Sequence, residues 1–246
     1  MDKTQSTVMA AILAGGLFAS ASAHAGITFS YEAAGVENTT VAGAVTETFN
    51  SAPLGVISST YYSSAIGGTY SSGQIIAANQ YGGAGGSQYD VTGLGNTTSQ
   101  SLTFDAAKTY FGMWWSAGDA ANVLDFYSGG SLVATFNVNT VTASLSSAYK
   151  GNPDSAFLGQ DAGEYFVYLN FTGTGGTTFD KIVFNNATSS GFESDNHSVY
   201  SGDITKIPGT VVGAVPEPST VVAGALLLLP FGLHGFRYLR NRKQVA

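Results

Sequence analysis

Set aside the two apolar ends of this 246-residue chain, and its acid–base inventory is short: fourteen carboxylates, four lysines and a single histidine between Gly26 and Val215, with no cysteine anywhere. The lack of thiols excludes disulfides, cysteine nucleophiles and thiolate zinc sites. A Ser-His-Asp hydrolase needs a histidine base. His24 and His234 lie in the apolar ends, so His197 is the one candidate, and no G-x-S-x-G elbow accompanies it. A three-histidine zinc site within one mature chain is excluded on the same count. Two carboxylates suffice for glycoside hydrolysis, but fourteen acids offer many pairs and spacing alone selects none. Hard oxygen ligands suit calcium. Glu47, near the first strands, and Asp195 with Asn196, near the last, are the set we single out for Ca2+, against the alternative that they are solvated turn residues. No D-x-[DN]-x-[DN]-G loop is present, so an EF-hand is excluded by pattern. Trp114 and Trp115 are adjacent, and neighbours on a strand face opposite sides. Either one indole faces out and can stack on a sugar ring, or both are packed.

These residues need strands to position them. Charged residues make up only 10% of the chain, beside 32 Gly, 15 Phe and 13 Tyr, a balance that fits a turn-rich β protein. Lys108 to Asn137 carries the clearest pattern. It reads as an aromatic strand Tyr110–Trp115, a loop Ser116–Ala121, a strand Val123–Tyr127, a turn Ser128-Gly129-Gly130-Ser131 and a returning strand Leu132–Phe136. Further short strands are expected at Ile27–Tyr31, Val45–Phe49, Ser101–Phe104, Tyr165–Phe171, Phe179–Asn185 and His197–Ile204. Their number and length predict an all-β, antiparallel, jelly-roll-like sandwich over 26–206. Tyr61–Gly86, the most Gly/Ser-rich stretch, reads as a flexible surface loop with a short strand near Gln74–Ala77. Ile207–Val215 reads as a linker. Four lysines against fourteen acids leave this body with a formal net charge of −10. That surface repels phosphate backbones and argues against nucleic acid as a partner.

The ends read as addresses. Lys3 is followed by the eleven-residue apolar run Val8–Phe18 and then by small residues ending in Ala23-His24-Ala25. That order predicts a secretory signal over 1–25, cut before Gly26 by signal peptidase. At the other end Pro216-Glu217-Pro218 leads into the apolar stretch Thr220–Phe236 and then Arg237, Arg240, Arg242 and Lys243. Seventeen residues as a helix extend about 25 Å, enough for a thin bilayer. The basic residues after it are expected to hold that terminus in the cytoplasm, with the body outside. Two prolines with fixed φ keep the Pro-Glu-Pro segment extended, the form a processing site can admit.

The order of Pro-Glu-Pro, apolar helix and basic terminus over 216–246 closely resembles the PEP-CTERM sorting signal. The resemblance implies recognition of Pro216, Glu217 and Pro218 by an exosortase, an intramembrane processing enzyme. It also implies a Gram-negative or cyanobacterial source that makes exopolysaccharide. The body resembles exosortase-dependent surface proteins with jelly-roll-like ectodomains. The residues concerned are Phe111-Gly112-Met113-Trp114-Trp115, Asn122, Asp125-Phe126-Tyr127 and Phe192-Glu193-Ser194-Asp195-Asn196. Together these resemblances imply an exported, non-enzymatic surface or matrix protein, tethered to the inner membrane before processing and structural or adhesive in a biofilm. A carbohydrate-binding module that uses Trp114 or Trp115, with or without calcium, is the alternative. A secreted glycoside-acting enzyme is the second.

Overall fold

Short runs of β-branched and aromatic residues, broken wherever Gly, Ser and Asn cluster, become strands here. The computed structural model describes residues 26–94, 97–186, 188 and 190–215. In chain order the strands are β1 (Gly26–Tyr31), β2 (Val45–Glu47), β3 (Gly55–Val56), β4 (Thr60–Ser63), β5 (Gly68–Ser71), β6 (Gln74–Ile76), β7 (Tyr89–Thr92) and β8 (Ser99–Lys108). They continue with β9 (Tyr110–Gly118), β10 (Asn122–Ser128), β11 (Ser131–Asn137), β12 (Tyr165–Thr174), β13 (Phe179–Asn186), β14 (Phe192–Tyr200) and β15 (Thr210–Val215). Among the described residues, helix is confined to one α turn, α1 (Asn139–Thr142), and two 3-10 turns, Ala84–Gly86 and Ser147–Tyr149.

All registered pairings are antiparallel. Nine strands form one sheet in the order β15-β1-β12-β9-β14-β7-β6-β3, with β2 also on β14, and six form the other, β11-β10-β13-β8-β5-β4. The chain is therefore an all-β protein of two stacked antiparallel sheets. Phenylalanines join the layers. Phe171 of β12 lies 5.0 Å from Phe126 and 5.0 Å from Phe136 on the opposite sheet, and Phe29 lies 4.5 Å from Phe136. Burying each such ring is worth about 1.5–3 kcal/mol.

The expected three-strand meander becomes β9, β10 and β11, but β9 leaves it. It pairs with β12 and β14 in the nine-stranded sheet, while β10 and β11 form a hairpin in the other. Three expectations are corrected. Ile207–Val215 is not a linker: Thr210–Val215 is an edge strand on β1, so the folded body runs to Val215 rather than to 206. Tyr61–Gly86 is not a free loop. It supplies most of β4, all of β5, and β6, which is the short strand expected near Gln74–Ala77, and its glycines carry the turns between them. The last long strand begins at Phe192 and ends at Tyr200, in place of the expected His197–Ile204. Its polar start, Glu193-Ser194-Asp195-Asn196, mimics a turn in sequence but is covered on both faces in the fold. No helix among the described residues is long and apolar enough to cross a membrane. The signal segment 1–25 with Ala23 and Ala25, the motif Pro216-Glu217-Pro218, the stretch 220–236 and Arg237, Arg240, Arg242 and Lys243 lie outside the described residues.

Candidate functional site

Strand β14 carries most of the candidate chemistry, and its alternation divides that chemistry between two faces. Phe192, Ser194 and His197 point between the sheets, while Glu193, Asp195 and Ser198 point to the outer face of the nine-stranded sheet. Two residues fall between Asp195 and Ser198 because Asn196 adopts a left-handed φ of 48° and makes a bulge.

The proposed calcium set does not assemble. Glu47 pairs with His197 and shares its inward face. Its Oε1 accepts from the Phe49 amide at 2.6 Å and its Oε2 from the Tyr61 hydroxyl at 3.1 Å. Asp195 pairs with Trp114 on the outer face. Its Oδ2 accepts from the Ala84 amide and the Ser87 hydroxyl, each at 2.9 Å, and its Oδ1 from the Asn196 amide. The Asn196 amide group donates to the Glu37 carbonyl and to Asn38 Oδ1. Glu47 and Asp195 therefore sit on opposite sides of a sheet with their oxygens already bonded. Asp195 is an anchor: it pins the Gly-rich turn Ala84–Gly86 to the sheet.

Both tryptophans are packed, so neither offers a stacking face. Trp115 belongs to the main core, and its indole N–H donates to Asn122 Oδ1 at 2.8 Å. Its ring fills the space beside Gly118, where a Cβ would lie 2.0 Å from it. Trp114 forms a second apolar cluster on the outer face with Phe166, Tyr168, Ala84 and Ala117.

The inward face holds a sealed polar group. His197 is fully buried, stacked on Phe184 at 5.2 Å, and Nδ1 is 2.8 Å from the Tyr70 hydroxyl. Burial pushes its pKa down to about 3, so the ring is neutral. Asp90 accepts from the Gln100 amide at 3.1 Å. Burial, reinforced by the charge of Asp195 and opposed by the Gln100 bond, pushes its pKa up to about 8. Ser194 lies directly across from Asp90. Their Oγ and Oδ2, and His197 Nε2, have no hydrogen-bond partner among the described residues. A serine, a histidine and an aspartate thus share a face, yet no hydrogen bond joins Ser194 to His197 and all three are closed off from solvent.

The outer face carries a group that the sequence pattern does not single out. Glu193 is 5% exposed and lies opposite Ser116 of β9. The pairing of Gly118 with Tyr165 sets Asp119 beside the loop that holds Asp161 and Glu164. Burial raises Glu193 to about 8, and the charges of Asp119, Glu164 and Asp161 add to it. Burial also raises Glu164 and Asp161. One signal is present in the sequence: Glu193 and Asp195 are two apart on a strand and must share a face. Among the described residues no three Asp, Glu or His side chains converge tightly enough to hold a metal ion by themselves.

Comparison with protein-family models, with curated proteins and with solved structures returns no match for this chain.

Proposed function

We propose that this chain is an exported surface protein whose jelly-roll-like body is cut free at both ends, by signal peptidase before Gly26 and by an exosortase at Pro216-Glu217-Pro218. The observation that carries this reading is the pairing of the ends. Ile27 of β1 and Val215 of β15 are register partners on neighbouring antiparallel strands. Gly26 and Val215, the residues next to the two expected processing positions, thus belong to adjacent strands at one edge of the sheet, which supports a body released by a cut at each end. Cuts before Gly26 and after Val215 would leave β1 and β15 whole as described. Proline cannot donate to a strand ladder, which suits Pro216 and Pro218 as part of a segment that a processing enzyme can admit.

The acidic body, packed through phenylalanines and with its indoles buried, suits a structural or adhesive role in an exopolysaccharide matrix. The carbohydrate-binding alternative loses its two proposed anchors, Trp114 and Trp115. Intact mass of the native protein from cell-surface and medium fractions tests the reading. A species running from Gly26 to the neighbourhood of Val215–Pro218 is expected. A native product that retains Arg237 to Ala246 overturns it.

A further inference from the structure

The chain passes from one sheet to the other between β7 and β8, and three polar side chains meet at that crossing. Thr92 ends β7, in the nine-stranded sheet, and Gln100 lies on β8, in the six-stranded one. The Thr92 hydroxyl donates to Gln100 Oε1 at 3.1 Å. The Gln100 amide nitrogen donates to Asp90 Oδ1 at 3.1 Å and to the Ser72 carbonyl at 2.8 Å. None of the three side chains is more than 1% exposed. Gly73 makes room for them. Its φ is 101°, and a Cβ there would lie 2.2 Å from the Gln100 nitrogen and 2.8 Å from its carboxamide carbon. The carboxamide is thus held by the Thr92 hydroxyl, the Asp90 carboxyl and the 72–73 backbone.

These are the parts of an acyl transfer. Thr92 Oγ1 is a hydroxyl nucleophile, hydrogen-bonded to the oxygen of the carbonyl it would attack. Asp90 lies at the nitrogen that would leave. Burial pushes its pKa up to about 8, so it carries a proton to give. Its Oδ2 has no hydrogen-bond partner among the described residues. The leaving nitrogen faces the surface, because Ser72, whose carbonyl it bonds, is half-buried and caps the Ser99 carbonyl at an exposed position. An amide is a weak acyl donor, and fixed proximity offsets that weakness: well-oriented intramolecular pairs reach effective molarities of about 10⁵–10⁸ M.

We propose that Thr92 and Gln100 condense into an intramolecular ester that ties the two sheets together, with Asp90 as the proton donor. Thr92 Oγ1 bonds to Gln100 Cδ, and its proton passes to Oε1. At the tetrahedral carbon the nitrogen regains its lone pair and takes the Asp90 proton. The Cδ–Nε2 bond breaks, and ammonia leaves past the 72–73 backbone. As the carbonyl reforms, the Oε1 proton returns to Asp90. Hydroxyl and carboxamide become ester and ammonia, and no electrons are transferred. Burial then shields the ester from water. The hydrogen-bonded pair is the precursor state. The link would give a chain without cysteine a covalent brace between its sheets. This inference does not depend on the sorting reading.

The test uses the full-length chain, purified folded and then denatured for mass spectrometry. Condensation removes one ammonia, about 17 Da. Succinimide formation at an asparagine gives the same loss, so the link is located by digestion. A protease that cuts after Tyr89, Leu94 and Leu102 should release peptides 90–94 and 95–102 joined as one species. Mild alkali should separate them and leave a glutamate where Gln100 stood. Thr92→Val keeps the branched shape, removes the nucleophile and should release the two peptides apart. Asp90→Asn should slow linkage by about a hundredfold, read as the joined fraction against time after refolding. Separate 90–94 and 95–102 peptides from the folded parent, or a joined pair in Thr92→Val, overturns the proposal. An unchanged rate in Asp90→Asn overturns the role given to Asp90.

Discussion

The two faces of β14 differ in how they treat polar groups. Inward, His197 and Asp90 are deeply buried, but they sit among aromatic rings and neutral amides, and both stay uncharged near neutral pH. Outward, Glu193 is covered almost as fully, yet its neighbours are other carboxylates. The inner polar group is closed off from solvent between the sheets. The outer one also holds its proton near neutral pH, but it lies beside the carboxylates of Asp119, Glu164 and Asp161 and is closed by loops rather than by a second sheet. The inner face should therefore dominate stability, and the outer face should respond to the medium.

The sharpest way to break that comparison is to remove one ring from each side. Phe171 contacts Phe29, Phe111, Phe126 and Phe136, members of both sheets. Phe171→Ala is expected to cost about 3–5 kcal/mol in urea unfolding. Phe166→Ala, in the small outer cluster with Trp114, should cost less, because the covering loops can settle into the space. Equal losses would mean that the outer cluster is as much a core as the inner one.

Legibility follows the same division. Inward-facing aromatic strands announce themselves: Tyr110–Trp115, Val123–Tyr127, Leu132–Phe136, Tyr165–Phe171 and Phe179–Asn185 all fall inside observed strands. Their signal is local: dense runs of aromatic and β-branched residues, alternating in burial in β10 and covered on both faces in β9 and β12. The acids of β14 give no such signal. Asp195 is covered by the Ala84–Ser87 segment, distant in sequence, and a polar run covered from outside reads as a turn. Pairing of Trp114 with Asp195, and cover from Ala84, is likewise invisible to a strand-alternation argument, which leaves one indole free. The β15 segment reads as a linker because it lies between Pro208 and Pro216, and it is a strand only because β1 offers it an edge.

The next sharpest test is pH. Asp90 accepts from Gln100 and lies near Tyr70, and Asp195 is the negative charge that adds to its burial. Its pKa is raised to about 8 in the folded chain, so the folded chain holds this proton more tightly than the unfolded one. The stabilisation is fully present below the ordinary carboxylate range, near pH 4, and is lost as pH rises through about 8. We expect a decline on the order of a few kcal/mol across that window, followed by urea denaturation in chelator. Asp90→Asn should flatten part of the slope, because the amide stays neutral. A slope of opposite sign would show that Asp90 ionises in the fold without penalty.

The smallest effect concerns the edge that the processing model depends on. Only Val215 of the six β15 residues is buried, and Val211 and Val212 are 52% and 38% exposed. What holds the strand is the ladder to β1, with a register shift at Phe29/Ser30 that twists the edge. Such edges tolerate surface changes and are protected by charge. Val211→Lys should shift stability by no more than about 0.5 kcal/mol and leave the terminal mass of the native protein unchanged. A larger loss would mean that β15 is held by side-chain packing, and that its pairing with β1 is too weak to keep the ends together at a cleavage corner.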